Sequence, residues 1–187
     1  MLTEETIVKQ IQADQEMMAV LTTIRDLGLA DAWLAAGAVR NFIWNQLSGK
    51  PGFDVTTDLD LVFYDSAISY EQTLQIEQEL KKTYPQYAWE VKNQVYMHGH
   101  SPGTYPYTSS FDAISKYPEQ CTAIAVRLTP NQELELFTPY GLGELEQMIV
   151  QPTPHFREDP ERLAIYRERM AKKDWLQKWP SLEVKDL

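Results

Sequence analysis

The stretch "LAAGAVRNFIWNQLSGKPGFDVTTDLDLVFYD", Leu34 to Asp65, decides the fold. It begins as the end of a short apolar run, Trp33 to Ala36, turns at Gly37, and continues as a helical face of Val39, Phe42, Ile43 and Leu47. Gly49, Pro51 and Gly52 then make a loop, and Leu59 to Tyr64 is a strand-like run. The order is strand, turn, helix, loop, strand. Asp58 and Asp60 stand in that last strand, where side chains alternate, so both acids share a face with Val62 while Leu59, Leu61 and Phe63 point the other way. Two like charges on one face repel and raise one pKa unless a cation lies between them, and paired carboxylate oxygens are what hard Mg²⁺ prefers. The bland alternative is a pair of solvated acids at the exposed start of a strand, with Thr56 and Thr57 as ordinary loop residues.

The segment before the acids bears on that choice. The first N–H groups of the helix after Gly37 are suited to an anion, and Arg40 in its first turn carries a guanidinium suited to phosphate. A phosphate site and a metal site would then lie close together. Read singly, Gly37 is also a tight turn and Arg40 also an exposed helix residue; the ordered combination with the D-x-D strand is the less accidental feature.

Outward from this stretch, Ile7, Val8, Ile11, Met18, Leu21, Ile24 and Leu27 recur at helical spacing before Gly28, which predicts one long helix or two shorter ones. Tyr70 to Lys82 predicts a further helix and Tyr87 to Lys92 a strand. His98 to Pro118 is rich in Gly, Pro, Ser and Tyr, an irregular segment and a candidate active-site cover. Thr122 to Leu128 and Glu133 to Phe137 predict a hairpin turning at Pro130 and Asn131, and Asp159 to Lys178 predicts a helix.

The composition narrows the function classes. With 187 residues, 43% hydrophobic and 11% aromatic, the chain has material for one real core. A net charge of −10, from 17 basic and 27 acidic side chains, argues against long nucleic acid as partner, because a surface that neutralises many phosphates must be basic. The start has no basic and apolar leader pattern, and no apolar run reaches the ~18 residues a membrane span needs, so a soluble protein is expected. The single cysteine, Cys121, forms no internal disulfide, which fits a reducing cytoplasm. His98 and His100 read as a surface loop, Cys121 as a buried inert thiol, and the five tryptophans as packing residues. A base-stacking partner could come from the Tyr105 to Tyr107 region, though no spacing selects it.

The segments "AAGAVRN" and "TTDLDLVF" resemble the nucleotidyltransferase superfamily that includes DNA polymerase beta, the tRNA CCA-adding enzymes and small antitoxin-type transferases. "GAVRN" is especially similar to the glycine-glycine-x-Val-Arg-Asp form of the CCA-adding enzymes. From Trp33 onward, "WLAAGAVRNFIWNQL", "DLDLVFYD", "WEVKNQVYMH", "PYTSSFDAI", "LELFTPYGLGEL" and "KKDWLQKWP" resemble a group of small bacterial nucleotidyltransferase-like proteins.

The resemblance implies an α+β fold, a mixed β-sheet flanked by helices, with residues 1–30 as an N-terminal helical segment, 31–150 as the nucleotidyltransferase-like core and 151–187 as a helical tail packed on the same domain. It implies three carboxylates holding two Mg²⁺ ions (Mn²⁺ as a substitute) and an NTP. Asp58 and Asp60 match the first two acids. Glu90 is the choice for the third, because Ala88, Glu90 and Lys92 would share one strand face; Glu133, Glu135 and Asp112 are the alternatives, and an exposed Glu90 paired with Lys92 is the structural reading. Gly37, Ala38, Arg40 and Asn41 fall at the nucleotide-binding turn. Ala38 departs from the usual serine after the glycine, which in the superfamily holds the triphosphate. The function implied is transfer of a nucleoside monophosphate to an acceptor hydroxyl on a small molecule or protein; a catalytically inactive nucleotide-binding or partner-binding module is the other class of answer.

Overall fold

The structure, a computed structural model, describes residues 1–186. Two helices open the chain, α1 (Glu4–Ala13) and α2 (Gln15–Asp26). Asp14 divides them because its extended backbone lets its carboxylate accept the Met17 N–H at 3.0 Å and cap α2. Ile7 and Ile11 of α1, then Met17, Val20, Leu21 and Ile24 of α2, fall one turn apart and are all buried.

The decisive stretch folds in the order its spacing predicts: β1 (Trp33–Ala35), α3 (Gly37–Leu47) and β2 (Asp58–Phe63). Next comes α4 (Tyr70–Thr83), started by a capping box in which Ser69 and Gln72 satisfy each other's backbone N–H groups, and then β3 (Ala88–Asn93). The irregular segment holds one short α-helix, α5 (Ser110–Ser115). The hairpin β4 (Ala125–Leu128) and β5 (Leu134–Phe137) pairs Arg127 with Glu135. The remainder is α6 (Gly143–Gln147), β6 (Ile149–Val150), α7 (Pro154–Arg157), α8 (Pro160–Lys172), α9 (Trp175–Lys178) and β7 (Glu183–Val184). The single helix expected over Asp159 to Lys178 is thus two, since Lys173 takes an extended backbone with ψ of 139°.

The five strands lie in the order β3-β2-β1-β4-β5, a mixed sheet in which β2 and β3 run parallel and the other neighbours antiparallel. One face carries Leu34, Leu59, Leu61, Phe63, Trp89, Val91 and Val126 into a large apolar core, shared with α1, α2, α3 and with Trp175, Trp179 and Leu182 of the tail. The opposite face holds a smaller cluster of Trp33, Ala35, Ala36, Val62, Ile114, Ala123 and Ala125. Val62 belongs to that smaller cluster, so Asp58 and Asp60 emerge on its side of the sheet, as strand alternation requires. Among the described residues, no helix is long and apolar enough to cross a membrane.

Candidate active site

The parallel pairing of β2 and β3 sets Asp60 opposite Glu90, Asp58 opposite Ala88 and Val62 opposite Lys92. Asp58, at the strand's start, is exposed, and its carboxylate makes no hydrogen bond or ion pair among the described residues. Asp60 lies deeper, its side chain 20% exposed, and accepts a hydrogen bond from Lys92 Nζ at 3.0 Å. The same ammonium donates to Glu90 Oε2 at 2.8 Å. Burial pushes the Asp60 carboxyl up to about 6, opposed by the attraction and hydrogen bond of Lys92 and helped by the neighbouring Glu90. Burial acts on Glu90 as well, yet its hydrogen bond to Lys92 and that cation's attraction hold it below the ordinary carboxylate value.

These residues form one wall of a cleft of about 440 Å³. Lys116, Arg169 and Lys173 line it as well, so carboxylates and cations share one cavity. Arg169 is held there by Glu119, which is fully buried and accepts from Arg169 Nε at 2.7 Å and Nη2 at 3.3 Å. Lys173 forms no ion pair among the described residues, and burial of its ammonium next to Arg169 lowers its pKa. The irregular segment supplies His100, Ser101, Tyr107, Tyr117 and Pro118 to the lining, next to Met97 just before it. A larger cavity of about 680 Å³ between α2 and α4 is lined by Thr, Gln, Asp, Glu and apolar residues with no cation, a poor environment for a polyanion.

The structure places Arg40 in the interior. Its guanidinium is buried, lies 4.1 Å from the Trp175 ring centroid, and donates to Asn41 Oδ1 at 3.0 and 3.1 Å and to Thr122 Oγ1 at 2.8 Å. Burial lowers its pKa from the usual arginine value. Arg40 thus sits beneath the cleft, touching it through Thr122, because a planar cation that stacks on an indole loses less on burial than an ammonium would. Gly37, Ala38 and Asn41 do not line the cleft either; Ala36 does. Ala36 stands where the glycine-glycine pattern puts its first glycine, and it holds φ of 58° and ψ of −129°, a conformation that favours glycine.

Of the alternatives for the third acid, Glu135 is tied to Arg127 at 2.6 Å on β5, Asp112 to Lys116 at 2.8 Å, and Glu133 lies in the hairpin; none lines the cleft. Glu90 does line it, but Lys92 engages it, and among the described residues no three carboxylates, imidazoles or thiols converge to enclose a metal ion. Asp58 and Asp60 fit a single divalent ion through hard oxygen donors on one face. All three expected carboxylates, Asp58, Asp60 and Glu90, line the same cleft. Cys121 is buried, with its thiol pushed up to about 12 by that burial, so it offers no nucleophile. Lys116, Arg169 and Lys173 carried no sequence signal as site residues.

The solved structure of a protein described as a CCA-adding enzyme head domain matches at 52% identity and a TM-score of 0.94, covering 99% of this chain and 97% of that one. The nucleotidyltransferase family model matches residues 22–184, and the chain belongs to that family. More distant matches share the fold: a CCA-adding enzyme in complex with ATP, at 14% identity and a TM-score of 0.55, and the Thermotoga maritima CCA-adding enzyme in complex with tRNA, at 12% identity and 0.55. This chain covers 42% of each of those two chains, which in turn span 97% and 96% of it. No curated protein matches the sequence.

Proposed function

We propose that the protein transfers a nucleoside monophosphate from an NTP to an acceptor hydroxyl, with Asp58 and Asp60 holding a divalent ion, Mg²⁺ or Mn²⁺. The observation that carries this reading is the cleft in which Asp58 and Asp60 share a cavity with Lys116, Arg169 and Lys173. A bound metal supplies charge neutralisation of the triphosphate and a lowered acceptor pKa. The chain supplies position. Asp58 and Asp60 present their oxygens from a strand fixed in the sheet interior, and Glu119 locks Arg169 so that little side-chain freedom is lost when it meets a phosphate. Lys173, which has no carboxylate partner among the described residues and lies 5.7 Å from the Trp175 ring centroid, adds a second cation beside it. The net charge of −10 suits a small-molecule or protein acceptor better than a long polyanion.

A second reading, a nucleotide-binding module without turnover, is favoured by Ala38 in place of serine and by the burial of Arg40 away from the cleft. One experiment separates the two. Under the first reading, Mg²⁺ and NTP together raise the melting temperature by more than the sum of their separate shifts, and pyrophosphate accumulates with Mg²⁺, NTP and a pool of acceptor hydroxyls. Synergy without pyrophosphate supports the module; additive shifts refute a shared metal and nucleotide site.

A further inference from the structure

The two-ion arrangement that D-x-D folds suggest needs a third carboxylate free to bind metal, and here that carboxylate has a resident cation. Lys92 lies two residues beyond Glu90 on the same strand, so both project from one face, and the register places Lys92 diagonally to Asp60. Its Nζ lies 3.0 Å from Asp60 Oδ1 and 2.8 Å from Glu90 Oε2, between the only two cleft acids that face each other across the strand pair. Backbone register sets where the lysine stem starts, and the two hydrogen bonds hold its ammonium between the acids. Asp58, one pleat repeat or about 7 Å along the strand, is left with its oxygens free.

We propose that Lys92 is a built-in cation that takes the place of one of the two divalent ions, so that the cleft loads a single divalent ion, on Asp58 and Asp60, and Glu90 is a counter-ion of Lys92 and not a metal ligand. This rests on the reading of Asp58 and Asp60 as the metal-holding pair. The electrostatics are consistent with it. A second divalent ion placed between Asp60 and Glu90 would meet the Lys92 charge within about 3 Å of the same oxygens, so metal and ammonium compete for that pair. With Lys92 neutralised by substitution, Asp60 and Glu90 become two facing carboxylates without a counter-charge, which is the condition under which carboxylates recruit a divalent ion.

The test counts metal directly. Bound Mn²⁺ is measured from the free-ion EPR signal, with the purified full chain titrated by Mn²⁺ alone and by Mn²⁺ with a non-hydrolysable NTP, for the parent, Lys92→Met and Lys92→Gln. The expected parent result is one Mn²⁺ per bound nucleotide, and both variants gain a second. With Mn²⁺ alone, the variants bind about tenfold more tightly than the parent, and the gain disappears in Lys92→Met combined with Glu90→Gln. Two Mn²⁺ per nucleotide in the parent overturn the inference, as does a variant that folds and gains no site. If neither variant folds, the parent count decides alone. If no nucleotide binds, the functional reading fails while the arm with Mn²⁺ alone still decides the role of Lys92.

Discussion

Replacing Asp60 by asparagine in the metal-free protein tests whether the Asp60 carboxylate is buried at a cost to the fold. The Asp60 side chain is only 20% exposed, and burial raises its carboxyl from 3.8 to about 6 even with Lys92 against it. A carboxyl whose folded pKa is raised binds its proton more tightly in the fold. Its contribution therefore favours folding below about pH 4 and is lost as the pH rises through about 6. A gap of roughly two units corresponds to about 3 kcal/mol at ~1.36 kcal/mol per unit. Solvent and Lys92 reorganise around a carboxylate that is still partly exposed, which leaves about 1–2 kcal/mol. Asparagine keeps the shape and an oxygen for Lys92 but removes the charge. In EDTA at pH 8, Asp60→Asn should be about 1–2 kcal/mol more stable than the parent by urea denaturation, and at pH 4 the two should agree within about 0.5 kcal/mol. The same variant should lose metal-dependent NTP binding. A mutant less stable than the parent at pH 8, with a difference that does not change with pH, would refute the reasoning and return the acids to ordinary scaffolding.

Three further outcomes are expected. Arg40→Ala should lower stability by about 2–4 kcal/mol in denaturant melts, because it removes a buried cation stacked on Trp175 and strands its partners Asn41 and Thr122. Lys173→Ala should weaken NTP binding by about 1.5–3 kcal/mol in calorimetry, the range for a hydrogen bond to a charged group, while shifting stability by less than about 1 kcal/mol, since its ammonium has no carboxylate partner among the described residues and lies 5.7 Å from the Trp175 ring centroid. Ala36→Gly should raise stability by about 0.5–1.5 kcal/mol: the relief of a positive-φ alanine exceeds the entropy that glycine adds to the unfolded chain. A fall in melting temperature for that last variant would show that the methyl group packs better than the backbone strains.

The face shared by Asp58, Asp60 and Val62, and the burial of Leu59, Leu61 and Phe63 behind them, were legible in the sequence because strand alternation depends only on local backbone geometry. The same locality made the β4–β5 hairpin and the helical face of α3 readable. The position of the break at Asp14, between the two opening helices that the spacing allowed, and the break at Lys173 were not, since apolar spacing runs on through a cap or one extended residue without a change of period. Only the tertiary structure decided what surrounds the acids. Lys116, Arg169 and Lys173 reach Asp58 and Asp60 from far along the chain, and their arrival depends on how the irregular segment and α8 pack over the sheet, which no periodicity encodes. Arg40 shows the same limit from the other side: its place in the first turn of α3 is a local fact, but whether its guanidinium meets solvent or the Trp175 ring depends on a tail folding back from more than a hundred residues away. Alternation and capping follow from neighbours in sequence, whereas burial and charge environment are properties of neighbours in space.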